Sequence, residues 1–137
     1  MQSEVRLLNN LLICNPSCTA FTAPLTASQG YTWFSTSGTY SAYQLVTTPT
    51  LSNFTGEAIG YGITLGCTCS FNITSGRRYA LWTTLDAANN ITLLLFDEGA
   101  MSALAPQQLG SPAAAPMSRQ GDPSIRFAPA LETPIPR

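Results

Sequence analysis

The side chains able to do acid–base chemistry are few. The sequence has no histidine, and all six of its basic residues are arginine. Without imidazole a Ser or Cys nucleophile has no ordinary base, and without lysine there is no amine base or Schiff base. The carboxylates that remain as candidates are Glu57, Asp86, Asp97 and Glu98. Two carboxylates facing each other across a sugar ring can hydrolyse a glycoside. Asp97 and Glu98, however, are adjacent, so a strand would send them to opposite faces, and a solvated turn is expected there. The glycine cluster GEAIGYG, from Gly56, lacks the spacing and following helix of a dinucleotide loop. The expectation is a non-enzymatic chain with no cofactor.

The cysteines carry a second kind of chemistry. Cys14 and Cys18 flank Asn-Pro-Ser, and Cys67 and Cys69 flank Thr68. Four-sulfur zinc sites use C-x2-C pairs, and neither pair has that spacing, so no metal is expected. Two readings stay open: buried free thiols behaving as small hydrophobes, or disulfides tying the N-terminal segment to the Cys67–Cys69 strand. Asn53, Asn72 and Asn90 each begin an N-x-T sequon, a possible glycosylation site. In a chain this rich in Asn and Thr, sequons also arise by chance.

The elements that must position these residues read as strands. YTWFST, YSAYQLVTT, GEAIGYGITL, CTCSFNIT, RYALWTTL and NITLLLF are short runs of aromatic and β-branched residues, separated by turn signals. This pattern predicts an all-β protein, a jelly-roll-like antiparallel sandwich or barrel of roughly seven strands over residues 31–105. In EAIGYGITL, alternation puts Ile59, Tyr61, Ile63 and Leu65 on one face of a single strand. Cys67, Cys69, Phe71 and Ile73 likewise share a face. ITLLLF reads as a central strand covered on both sides, and Asp86–Asn90 as a hairpin loop. A further strand is expected over Ala100–Leu104. Residues 1–30 are expected to form an N-terminal arm or short helix followed by a loop, because Val5, Leu8 and Leu12 fall near helical spacing.

Charge narrows the classes of partner. Only 9% of residues are charged, against about 25% in an average domain, and none lies between Leu7 and Gly56. With a net charge of −1 and no basic stripe, the chain is not expected to bind nucleic acid. No run of about 20 apolar residues is present, so no membrane span is expected. The N-terminus faintly resembles a signal peptide, but Glu4 and Asn9-Asn10 count against that. A surface this neutral gives copies little mutual repulsion and suits one covered by neighbours.

Seven of the ten prolines lie in residues 106–137. Proline removes donors and favours extended backbone, so this stretch is expected to form an extended arm without regular structure. Its spaced apolar residues Ile125, Phe127, Leu131 and Ile135, with Arg119 and Arg126, read as anchors for another chain, and deleting the arm is expected to leave a folded domain.

A β domain from SAYQLVTTPT to NITLLLFDEG, followed by APQQLGSPAAAPMSRQGDPSIRFAPALETPIPR as an arm, resembles in layout the head decoration, or cement, proteins of tailed bacteriophages. The resemblance implies a virion structural protein on the capsid surface, made in the host cytoplasm. It would be a homodimer or homotrimer binding the major capsid protein and tying neighbouring capsomers through its arm. Two other classes fit the same composition. One is a secreted carbohydrate-binding sandwich with Tyr31, Trp33, Tyr43 or Trp82 as a stacking platform. The other is a structural subunit of a phage tail or extracellular fibre, joined by pairing at a sheet edge.

Overall fold

A computed structural model describes residues 1–131 of the chain. Among them the fold is all-β, without helix. The strands are β1 (Ser3–Asn9), β2 (Leu11–Cys14), β3 (Cys18–Thr19), β4 (Thr22–Ala27), β5 (Thr32–Thr36), β6 (Gln44–Val46), β7 (Thr50–Ala58), β8 (Ile63–Asn72), β9 (Arg77–Leu85), β10 (Ile91–Ala100), β11 (Leu109–Pro116), β12 (Ser118–Gln120) and β13 (Arg126–Pro129). One sheet has the order β11-β10-β9-β1-β6, a second β12-β8-β7-β4-β5, and a third, small one β13-β2-β3. The first two enclose the main core, in which Leu7, Leu81 and Leu93 of one sheet meet Leu25, Phe54 and Ile63 of the other. The result is a β-sandwich.

The N-terminus is neither an arm nor a helix. β1 lies inside the first sheet, parallel to β9 and antiparallel to β6. Its two faces are both covered. Val5 and Leu7 enter the main core. Leu8 enters a second cluster with Ala80, Trp82 and Phe96, closed by Tyr40, Leu94 and Leu131. A strand buried on both faces reads as a nearly continuous apolar run, and such a run contains helical spacings by accident. β10 is covered in the same way, with Leu93 and Leu95 in the main core and Phe96 in the second cluster.

Asn9 and Asn10 mark the bend from β1 to β2. Asn9 Nδ2 donates to the Phe21 carbonyl at 3.3 Å, and its Oδ1 accepts from Thr83 Oγ1 at 3.0 Å and from Leu11 N at 3.2 Å. Asn10 Nδ2 donates to Thr84 Oγ1 at 3.0 Å and to the Leu131 carbonyl at 3.1 Å, while its Oδ1 accepts from Leu131 N at 2.6 Å. Every one of these buried amide groups is matched, as burial demands.

Residues 106–131 form no free arm. β11 pairs with β10, β12 with β8, and β13 with β2. The chain bends at buried Met117, so that one continuous segment leaves the first sheet and joins the second, closing one side of the sandwich. The prolines tolerate this because of where they sit. Met117 N donates to the Ile91 carbonyl at 2.9 Å. In an antiparallel ladder inward and outward groups alternate, so Ala115 and Ala113 face β10, while Pro116, Ala114 and Pro112 face away. The same logic, from Ala130 N donating to the Asn10 carbonyl at 3.3 Å, turns Pro129 outward on β13. Each of these prolines occupies an edge position that needs no donor. Proline-rich composition here marks blunted edges.

Two local expectations also change. GEAIGYGITL is a hairpin: β7 ends at Ala58, β8 begins at Ile63, and Ala58 pairs with Ile63. Gly60 and Gly62 turn the chain at φ values of 89° and 67°, which glycine adopts without steric cost. Ile59 is therefore exposed in the turn. Of Ala100–Leu104, expected as a further strand, Ala100 ends β10 and the rest is a turn beyond it.

Candidate binding surfaces

The four candidate carboxylates do not converge. Asp86 caps its own hairpin loop, accepting from the backbone N of Ala88 and of Asn90, each at 2.9 Å. Asp97 pairs with Arg77 Nε at 2.7 Å. Glu98 is not in a solvated turn but buried beside Arg6, with Nη2 to Oε2 at 2.5 Å, and Tyr43 OH donates to its Oε1 at 2.8 Å. Burial and the adjacent Glu98 carboxylate push the Tyr43 phenol well above its ordinary pKa. Glu57 stands apart, exposed on β7.

The expected anchors of the tail are spent within the domain. Ile125 belongs to the main core, and Phe127 packs at its margin with its ring centroid 6.1 Å from that of Phe21. Arg119 donates from Nη1 to the Ile125 carbonyl and from Nη2 to the Asp122 carbonyl, both at 2.8 Å, and lies over the Phe127 ring. Leu131 completes the second cluster. Arg126 sits opposite Cys14 in the β13–β2 ladder, with an exposed side chain. Ile135 lies outside the described residues. A tail whose apolar side chains fit the domain's own cavities has no need of a second chain to order it.

The cysteines form two disulfides, Cys14–Cys18 and Cys67–Cys69. They are therefore neither free thiols nor bridges between the two segments. Cys14 and Cys18 are partners in the β2–β3 ladder. Cys67 and Cys69 lie at a bulge, where Asn53 alone on β7 opposes Thr68 and Cys69 on β8, and their Cα atoms are 5.3 Å apart, within the span a disulfide bridges. Cys67, Phe71 and Ile73 are buried together, with Cys69 at the core's margin. We expect maleimide to label none of the four cysteines in unfolded, unreduced protein and all four after reduction; labelling before reduction would contradict both bridges. The sequon residues Asn53, Asn72 and Asn90 are all exposed.

The aromatic platform expected from Tyr31, Trp33, Tyr43 and Trp82 does not form. Trp33 and Trp82 are buried, their indole Nε1 groups donating to the Val5 carbonyl at 2.9 Å and to Tyr40 OH at 3.1 Å. Tyr31 and Tyr43 use their hydroxyls within the domain.

Among the described residues, two exposed surfaces stand out. The first runs along β11 and the turn before it. Residues 99–118 carry no charge, and most of them are exposed, including Leu104 and Leu109. The second is the outer face of the second sheet. Register places Thr32, Thr26, Thr55, Gly66 and Ser118 in one row across its five strands. Beside it run Phe34, Pro24, Glu57, Thr64 and Gln120. Gly66, bare of side chain, leaves a groove of about 430 Å3 walled by Thr26, Thr55, Glu57, Thr64, Ser118 and Gln120. The signal for this face was present in the two neighbouring strands, Thr22-Ala-Pro-Leu-Thr26 and Thr32-Trp-Phe-Ser-Thr36, which share outward threonines around one apolar residue.

Comparison with protein-family models, with curated proteins and with solved structures gives no match.

Proposed function

We propose that the chain is a non-enzymatic structural protein that coats a larger assembly, in its most specific form a decoration protein seated on a virion shell against the major capsid protein. The observation that carries this reading is the uncharged, exposed strip of residues 99–118, where Leu104 is 106% exposed and Leu109 43% exposed relative to an unfolded reference. From residue 106 on, the strip is a stretch of the expected arm that the fold itself leaves largely uncovered. Apolar side chains held in water favour a partner that removes them from it.

Contact goes through side chains, because the free edge of β11 offers one donor, Ala114, between Pro112 and Pro116. That favours a coating subunit over a fibre built by strand pairing. Several copies in a dimer or trimer would bind the shell by avidity, so each contact need not be strong. With no charge in the strip, binding depends weakly on salt.

The test is to strip the protein from particles, add it back, and compare rupture temperatures. Rebound wild-type protein should raise the rupture temperature at low and high salt alike. The double variant Leu104→Asp/Leu109→Asp, both sites being exposed, should fold normally yet fail to rebind. Equal rupture temperatures with and without the protein would refute the coating function.

A further inference from the structure

We infer that the outer face of the second sheet is a binding site for a neutral glycan chain. The inference uses a different surface, which meets the strip of residues 99–118 only at Ser118, and does not depend on the coating function.

The row Phe34, Pro24, Glu57, Thr64 and Gln120 presents, in order across β5, β4, β7, β8 and β12, an aromatic ring, a proline ring, a carboxylate, a hydroxyl and an amide. Phe34 is 61% exposed although it sits in a regular strand, so its ring is offered to solvent instead of to the core. Pro24 also ends the β4–β7 ladder, which stops at Leu25 and Gly56, and the groove opens beyond that point. Five strands at their usual spacing make the row about 19 Å long, enough for several sugar rings.

The chemistry of the row matches a sugar better than other ligands. A pyranose has C–H faces that pack on an aromatic or proline ring, and hydroxyls that both donate and accept. Glu57 accepts only, Gln120 does both, and the threonine hydroxyls do both. Among the described residues the Glu57 carboxylate takes part in no ion pair or side-chain hydrogen bond. Two hydroxyls in the groove wall are already engaged: that of Thr26 is shared with Thr32 at 2.9 Å, and Ser118 Oγ donates to the Gly66 carbonyl at 3.3 Å. With Glu57 as the one charge and no cation in either row, the face disfavours phosphates and uronates. Gly66 lowers the floor of the groove: a Cβ there would stand beside Ser118 Oγ, 3.4 Å away, and narrow it.

The probes are cellohexaose, chitohexaose, laminarihexaose and, as an anionic control, an oligogalacturonate, each titrated calorimetrically into the intact chain. At least one neutral hexaose should bind. Phe34→Ala and Glu57→Gln should each weaken that binding about tenfold, through loss of ring contact and of a charge-assisted hydrogen bond. Both substitutions are at exposed positions and should leave the thermal transition in place. Leu104→Asp/Leu109→Asp should bind the sugar as wild type does. The inference is overturned if no neutral hexaose binds at millimolar concentration, if both variants bind as tightly as wild type, or if the oligogalacturonate binds as well as the neutral sugars.

Discussion

A chain ending at Pro116 will not fold to a native domain. Residues 117–131 supply Met117 and Ile125 to the main core, 8% and 5% exposed, and the β12 and β13 ladders. They also supply both backbone partners of the Asn10 side chain at Leu131. Removing one large core side chain costs about 2–5 kcal/mol, and a whole domain is stable by only about 5–15 kcal/mol. Two such losses, with an unpaired buried amide added, consume most of that margin. Circular dichroism on heating should show no cooperative transition for the truncated chain, and Ile125→Ala alone should lower the stability of the full chain by about 2–5 kcal/mol. A truncated chain that melted cooperatively near the full-length midpoint would mean that the tail's packing is dispensable.

Glu98→Ala should be nearly as damaging. The Arg6 guanidinium makes two bonds to Glu98, Nε to Oε1 at 3.0 Å and Nη2 to Oε2 at 2.5 Å. It is covered by the Tyr40 ring, 3.6 Å from the ring centroid, and by Tyr43 at 4.8 Å. The side chains of the pair are 8% and 2% exposed. Truncating Glu98 leaves a buried cation without its anion, at a cost of about 3–5 kcal/mol in denaturant unfolding. The double variant Arg6→Met/Glu98→Leu removes both charges and should recover most of that loss, because well-packed apolar residues can replace a buried pair. A cost for Glu98→Ala under about 1 kcal/mol would place the pair with solvent-exposed ones, against the geometry.

The sandwich was readable because alternation survives wherever one face of a strand is wet. Thr32–Thr36 alternates cleanly, and the hairpin closing at Asp86 and Asn90 announces itself with its Asn pair; Thr22–Ala27 alternates too, but Pro24 within it made the segment read as loop. What was not readable had two physical causes. Strands buried on both faces lose their alternation, so β1 looked helical, and Asn9 and Asn10 looked like interruptions instead of a buried hinge. Proline, in turn, signals missing donors but not which way those donors would have pointed. Pro112, Pro116 and Pro129 forbid a central strand and permit an edge strand, and composition cannot tell the two apart. The same ambiguity hid Glu98: its partner Arg6 lies 92 residues away in sequence, beyond any local pattern. Among the candidate surfaces, Glu57 was visible as a lone carboxylate, whereas Phe34 and Gln120 join it only through register.

The place of β1 also fixes an order of events during synthesis. It leaves the ribosome before the other described strands, yet its parallel partner β9 pairs Leu7 with Leu81, and the segment that closes the sandwich, from β11 to β13, is the last described part to emerge. Contacts of such long sequence separation slow folding, because loop closure must precede the contacts that reward it. Until β6 and β9 have emerged, β1 is an apolar strand without neighbours on either side, and such exposed segments are prone to aggregate. The sandwich therefore completes its core only once residues 117–131 have been made. Its yield should depend on how well nascent β1 is shielded in that interval.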